Sequence, residues 1–378
     1  MTIKIRSNKV LLENELREAT ISVKESCIVD ISDDRGTDVI DYGDAIIAPG
    51  FIDIHTHGGY GCEIMEADRL KIYQWLSHLP KEGTTSLLIS PYSSSVLSMR
   101  KAIDAICTLE EKRCCADVLG VYLEGPFISK RQLGAMNEKS VLAPDISKWQ
   151  EIVGQHERAI KLCALACEAD FDFALMDTLV SKQVKIAGGH TDMTYAQACN
   201  AAAHGMIDFT HCGNAMRGIH HREVGTLGAA MLLDDCYCEV IADGKHVSFE
   251  LLRLLYKTKP KDKLILITDS LSAKGLAEGD YQMDGILVTV KNKAAYIHGT
   301  NQLAGSTLSM AQAVANAVQY GGFTVVDALH AASLNPATLI GVHNKKGQIR
   351  VGFNADLCVL DSAFQIQQTY YKGKAMIS

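Results

Sequence analysis

Between residues 51 and 268, short apolar runs alternate with helical patterns, and this alternation leaves the chain few folds to choose from. The runs cover residues 51–54, 85–89, 118–123, 160–166, 184–187, 207–210, 238–242 and 264–268. Each is short, apolar and bounded by turn residues, as buried strands are. Residues 68–81, 96–111, 145–156, 171–182, 195–203, 225–233 and 248–257 read as the helices between them. After the eighth run come a loop region and two further helices, at 306–320 and 325–333. Eight strands, each followed by a helix, is the count of a (β/α)8 TIM-like barrel, and a doubly wound sheet is the alternative that alternation alone leaves open.

The two ends of the chain have a different texture. Residues 2–44 hold alternating segments such as Lys4-Ile5-Arg6 and Ala19-Thr20-Ile21-Ser22-Val23, separated by polar turns such as Asp33-Asp34-Arg35-Gly36. Residues 347–361 read as strand, turn, strand, and 364–370 as another strand. Neither end is long enough for a stable sheet by itself. The expectation is one small β-sandwich domain built from 1–48 and 344–378, interrupted by a barrel domain over 49–343.

Composition sets outer limits. With 378 residues, 47% of them hydrophobic, the chain can bury a large core. A formal net charge of -7 argues against a nucleic-acid surface. Residues 1–10 contain no signal-peptide h-region and no run approaches ~18 apolar residues, so neither secretion nor a membrane span is expected. The 12 cysteines include no C-x-x-C pair, and Cys114-Cys115 and Cys236-x-Cys238 are too close for ordinary disulfides. Free thiols in a reducing cytoplasm are expected, with Cys62 and Cys212 as packing residues.

What stands after each strand carries the chemistry. The first ends in His55-Thr56-His57, whose two imidazoles share one face because strand residues i and i+2 do. Later strands end in Glu124, His190, His211, the segment Asp243-Gly244-Lys245-His246, and Asp269. In a barrel these positions converge on the C-terminal mouth, where active sites of that fold lie. Charged groups beside a core are costly unless paired or bound to metal. Histidine and carboxylate without cysteine suit a catalytic divalent ion with an open water position. Glu124, His190 and His211 make a three-ligand set, while His55 and His57 could hold a second ion or enlarge the first site. Asp269 reads as general base for metal-assisted hydrolysis of an amide, its bland alternative being an N-cap carboxylate.

An anionic substrate is also indicated. Arg217, His220, His221 and Arg222 cluster past the sixth strand and could clamp a phosphate, unless they form a solvated loop with internal Arg–Glu pairing. His246 is a second candidate donor. Backbone N–H groups at Asn214-Ala215 and Leu303-Ala304-Gly305-Ser306 could hold oxygens.

These motifs together resemble the N-acetylglucosamine-6-phosphate deacetylases of the amidohydrolase superfamily. The resemblance spans nearly the whole chain. It rests on Pro49-Gly50-Phe51-Ile52-Asp53-Ile54-His55-Thr56-His57-Gly58, Glu124-Gly125-Pro126-Phe127, Gly189-His190-Thr191, Thr210-His211 and Asn214-Ala215-Met216. His221-Arg222-Glu223, Ala242-Asp243-Gly244-Lys245-His246, Thr268-Asp269, Leu303-Ala304-Gly305-Ser306 and Asn335-Pro336-Ala337 continue it. It implies a barrel inserted in a small β-sandwich and hydrolysis of N-acetylglucosamine 6-phosphate to acetate and glucosamine 6-phosphate, in amino-sugar catabolism. It further implies a divalent metal, one or two ions, with zinc expected and iron, manganese or cobalt as alternatives, and a homodimer.

By that resemblance Glu124, His190 and His211 bind the catalytic metal and Asp269 is the acid/base. Ala135, Asn214, Ala215, Arg222 and His246 contact the sugar phosphate, and the backbone of Leu303, Ala304 and Gly305 lies near the sugar. The chain departs from the family pattern at three places. Gly134-Ala135-Met136-Asn137 has methionine where the family has the histidine that it lends across the dimer to the phosphate, and Met136 cannot donate a hydrogen bond. Gly213 replaces an aromatic, and Ala166-Cys167-Glu168 replaces Ala-Pro-Glu. N-acetylgalactosamine 6-phosphate, or another N-acyl compound, is therefore the alternative substrate. A cyclic-amide hydrolase would place a lysine at a strand end where this chain has Glu124. A sugar-phosphate sensor on the same fold would have lost Asp269 or the Glu124/His190/His211 set, and all four are present.

Overall fold

All eight apolar runs are strands of one parallel sheet in sequential order: β1 (Phe51–Asp53), β2 (Thr84–Ile89), β3 (Asp117–Glu124), β4 (Ile160–Leu165), β5 (Lys185–Gly188), β6 (Met206–Phe209), β7 (Tyr237–Ile241) and β8 (Leu264–Ile267). The structure, a computed structural model, describes residues 2–36, 38–112, 115–283 and 285–376. A doubly wound sheet would reverse its strand order part-way, and this one does not. At the closing seam β8 meets β1 through a buried side chain: the Asp53 carboxylate accepts from Thr268 N–H at 3.2 Å and Thr268 Oγ1 at 2.5 Å. Just beyond, Asp269 N–H donates to His55 O and His57 N–H to Ser270 O, each at 2.8 Å.

The helices between strands start where the sequence supplies a cap. Asp68, Ser95, Asp145 and Ser248 accept from first-turn N–H groups of α1 (Arg69–His78), α2 (Val96–Cys107), α3 (Ile146–Val153) and α7 (Phe249–Thr258). Thr194 and Gln197 form a reciprocal capping box at α5 (Tyr195–Ala203). The remaining barrel helices are α4 (Ala174–Ser181) and α6 (Gly225–Leu232). Fully buried Trp75 and Trp149 anchor α1 and α3 to the barrel.

Three expectations need correction. The region after β8 is not merely a loop: it carries an antiparallel sheet of β9 (Gly279–Met283), β10 (Ile286–Lys291) and β11 (Ala294–Ile297). Its strands are only four to six residues long, and they form a core only where Met283, Val288, Val290 and Ala295 pack on Leu271, Ala273 and Ala304. The two helices expected after it are present as α8 (Met310–Gln319) and α9 (Val325–Ala331), but a third, α10 (Leu334–Leu339), follows them. Pro336 marks a break in sequence but sits in the first turn of α10, where a missing N–H costs little. Residues 347–350 are not a strand.

The chain ends do pair. Thr2–Leu12, Glu15–Lys24, Cys27–Ser32, Val39–Asp41, Ile46–Pro49, Leu357–Leu360, Ile366–Tyr371 and Lys374–Ala375 make one sheet, in which Ile46–Pro49 lies parallel to the first strand and antiparallel to Leu357–Leu360. Strand alternation explains why those two strands are apolar on both faces. Ile47, Leu357 and Val359 point into the terminal domain's core, and Ile46, Ala48, Cys358 and Leu360 into the barrel's. Buried Lys346 ties the two together, bonding Asp356 at 2.8 Å, Asp117 at 3.0 Å and Ser86 Oγ at 3.0 Å. The described cysteines are free thiols, Cys62 and Cys212 among the buried ones; Cys114 lies outside the described residues. Among the described residues, no helix is long and apolar enough to cross a membrane.

Candidate active site

The barrel strands end in backbone that few side chains tolerate. His190, His211 and Asp269, after β5, β6 and β8, have φ of 48°, 30° and 49°. Such left-handed residues cost on the order of 1–3 kcal/mol each and persist only where the surroundings over-determine them. Asp269 precedes no helix, and its neighbour Ser270 bridges to Ser306, so the N-cap alternative does not apply.

These residues form two buried groups that share one space: Glu124 with His190 and His211, and His55 with His57 and Asp269. Glu124 Oε1 lies 3.1 Å from His190 Nε2, 3.0 Å from His211 Nε2 and 3.5 Å from His55 Nε2. His190 Nε2 and His211 Nε2 are 3.2 Å apart. His190 Nδ1 lies 2.9 Å from Gln132 O, a carbonyl that can only accept, so Nδ1 donates there and Nε2 is the nitrogen turned to the site. A tetrahedral ion with bonds of about 2.0–2.2 Å sets its donors roughly 3.3–3.6 Å apart, close to the spacing of this trio. The donor set therefore fits a divalent ion.

The second group is poised in the same way. His57 Nδ1–H donates to Ser90 O at 2.7 Å, which turns Nε2 towards Asp269 Oδ1 at 2.8 Å. His55 Nδ1 bonds Glu239 Oε2 at 2.9 Å. Its Nε2 is buried without a hydrogen-bond partner, 3.5 Å from Glu124 and 3.7 Å from Asp269. An orphaned buried nitrogen among carboxylates is what an ion would satisfy.

Charge balance within the cluster is tight. Burial alone would raise the Glu124 carboxyl, but the charge of His55 and the imidazoles of His190 and His211 hold it well below the usual range. Burial likewise opposes ionisation of Asp269, yet bonded His57 and nearby His55 hold it down at about 2. His55 is pushed well up against its burial by Glu239 and Glu124. His57 is raised too, by Asp269 and Glu124.

A cavity of about 840 Å³ opens above the cluster, lined by His57, Glu124, His190, His211 and Asp269 on its floor. Of the sequence-derived substrate contacts, Ala135, Asn214, Ala215, His246, Leu303, Ala304 and Gly305 line it, as does Met136 of the same chain. The His246 Nδ1–H donates to Asp243 Oδ2 at 2.7 Å, leaving Nε2 free to act. Met283, Ile286 and Val288 of the β9–β11 sheet form an apolar side of the cavity. Arg222 is exposed, bonds His221 Nε2 at 2.7 Å and is not in the lining. Arg217 is committed to Asp192, at 3.1 and 2.7 Å. Gly213 lies outside the lining, facing Val247 and Leu251.

Sequence reasoning passed over Glu239 and Asp208, which lie under the site with no measurable exposure. The signal was available, since Tyr237-Cys238-Glu239-Val240-Ile241 sets one charge within a buried strand. The Asp208 carboxyl is raised well above its ordinary range by burial and by Glu239 beside it.

Residues 46–376 match the Amidohydrolase family. The chain is 33% identical to the N-acetylglucosamine-6-phosphate deacetylase of Bacillus subtilis (strain 168), over 98% of this chain and 96% of the relative. It is 31% identical to the N-acetylgalactosamine-6-phosphate deacetylase of Escherichia coli O157:H7, over 87% of each. Its fold superimposes with a TM-score of 0.93, at 27% identity and over 100% of both chains, on an aspartate-to-alanine variant of the Mycobacterium smegmatis N-acetyl-D-glucosamine-6-phosphate deacetylase in complex with N-acetyl-D-glucosamine-6-phosphate.

Proposed function

The chain belongs to the amidohydrolase family, among its hexosamine-phosphate deacetylases, and on that ground we propose that it hydrolyses N-acetylglucosamine 6-phosphate to acetate and glucosamine 6-phosphate. The observation that carries this reading is the convergence of His57, Glu124, His190, His211 and Asp269 on the floor of one cavity, with His55 buried against them.

Glu124, His190 and His211 would hold a divalent ion, for which zinc fits the donor types, and His55 and His57 with Asp269 would offer a second place. When bound, the ion lowers the pKa of a water and polarises the acetyl carbonyl. Asp269 takes the proton of the attacking water and returns it to the amide nitrogen as the C–N bond breaks. His57 orients Asp269 through the 2.8 Å contact. His246, fixed by Asp243, presents Nε2 to substrate oxygen. Asn214 and Ala215, Ala135, and the backbone of Leu303, Ala304 and Gly305 line the space for the sugar. We assign Arg222 no substrate contact within a single chain. The buried free thiols fit a cytoplasmic enzyme. A homodimer is the assembly we propose, to be read from solution mass.

N-acetylgalactosamine 6-phosphate is the second reading, favoured by the Escherichia coli relative. Acetate release from N-acetylglucosamine and N-acetylgalactosamine, each with and without the 6-phosphate, decides between them on protein of measured metal content. Fastest release from N-acetylglucosamine 6-phosphate is expected. Release from none of the four would overturn both readings.

A further inference from the structure

Among the described residues, Glu239 is the side chain outside both donor groups that hydrogen-bonds a member of each. It sits in the middle of β7, fully buried, and its Oε2 accepts from His55 Nδ1–H at 2.9 Å and from the His211 backbone N–H at 3.2 Å. His55 belongs with His57 and Asp269; His211 belongs with Glu124 and His190. The main chain repeats the link, because Cys212 N–H donates to Glu239 O at 2.7 Å.

Each bond has a geometric effect. Donation from Nδ1 turns Nε2 towards Glu124 and Asp269, and makes Nε2 the nitrogen that would give up its proton to an ion. The Tyr122 ring, 4.6 Å away, limits how far His55 can turn. At His211 the φ of 30° needs outside support, and Glu239 supplies it by side chain and backbone together.

We propose that Glu239 is a positioning residue of the ion site, acting by reach: it fixes the nitrogen that His55 presents and holds the strained backbone that aims His211. The inference rests on the proposed metal-dependent reading of the site. Carboxylates that orient ligating histidines typically change metal affinity by about 10–100-fold when removed.

Two substitutions separate reach from charge. Glu239→Asp keeps the charge but withdraws the oxygens by roughly 1.5 Å, beyond hydrogen-bond distance of His55. Glu239→Gln keeps the reach and one acceptor oxygen but loses the charge. Zinc affinity of each purified protein is measured by competition with a chromophoric chelator, alongside the visible spectrum of the cobalt(II) form and thermal unfolding of the metal-free protein. The expected result is a loss of about 10–100-fold in affinity and an altered cobalt spectrum for Glu239→Asp. Glu239→Gln should stay close to wild type in both. Wild-type affinity in Glu239→Asp, or a loss in Glu239→Gln as large as in Glu239→Asp, overturns the proposal. If Glu239→Asp does not fold, a tenfold or greater loss in Glu239→Gln overturns it and retained affinity supports it. Wild-type protein that binds no divalent ion would instead refute the proposed function.

Discussion

Asp269→Asn isolates the proton-transfer step from the architecture around it. Asparagine has nearly the same shape, tolerates the left-handed backbone that Asp269 adopts at φ 49°, and can still meet His57 Nε2 across the present 2.8 Å. The two backbone bonds at this position, Asp269 N–H to His55 O and Ser306 N–H to Asp269 O, both 2.8 Å, do not involve the side chain. What is lost is a base ionised throughout the neutral range, its carboxyl held at about 2. General acid–base catalysis contributes about 10²–10⁴-fold, so kcat should fall by that factor, or about 2.7–5.4 kcal/mol of barrier. The Michaelis constant should change little, because Asp269 is one of many groups lining the cavity. Steady-state acetate release, metal content and thermal unfolding of the same preparation provide the assay. Glu124, His190 and His211 are untouched, so an ion bound by the proposed ligand set should remain. A wild-type kcat would refute the assignment. Full recovery in excess metal would also refute it, since Asp269 would then act as a ligand and not as a base.

Removing the ion with a chelator should abolish turnover and lower the unfolding temperature, with both restored by added divalent metal in a concentration-dependent way; an unfolding temperature indifferent to metal would count against the site. Lys346→Met strands the buried Asp356 carboxylate and should cost about 3–5 kcal/mol, a fall of about 4–6 °C for a chain of this length by thermal denaturation, with kcat retained. Arg217 hydrogen-bonds Asp192 and, against partial burial, holds its carboxyl down at about 2. A lowered folded pKa gives stability that is full above the unfolded value of about 3.9 and is lost as pH falls towards 2, so Arg217→Met should flatten the stability profile between pH 4 and 2. Met136→His places a donor in the cavity lining and should lower KM for phosphorylated substrate alone; an equal effect on unphosphorylated sugar would place the contact elsewhere.

Much of this protein is legible one segment at a time. Strand and helix patterns act over a few residues, so apolar runs and capping serines, threonines and aspartates mark the barrel elements without any partner in view. Histidines and carboxylates at strand ends are visible for the same reason, because a buried strand has no other use for them. Which of them meet was settled by closure of the sheet. His55 and Asp269 are 214 positions apart and reach one cluster only because β8 returns to β1. Arg217 and Arg222 read as a phosphate clamp, but Asp192, from another loop, takes the first, and the second is exposed outside the cavity lining of the single chain. The β9–β11 strands are only four to six residues long, too short to announce themselves, and become a wall only against Leu271 and Ala304. Glu239 is the sharpest case. The sequence shows a charge inside a buried strand, but its role depends on two histidines from other strands lying within reach of one oxygen. The sequence by itself determined the types of chemical group and their place on each element; only the tertiary structure decided their company, because hydrogen bonds and metal geometry operate over 2 to 4 Å between residues that the chain keeps far apart.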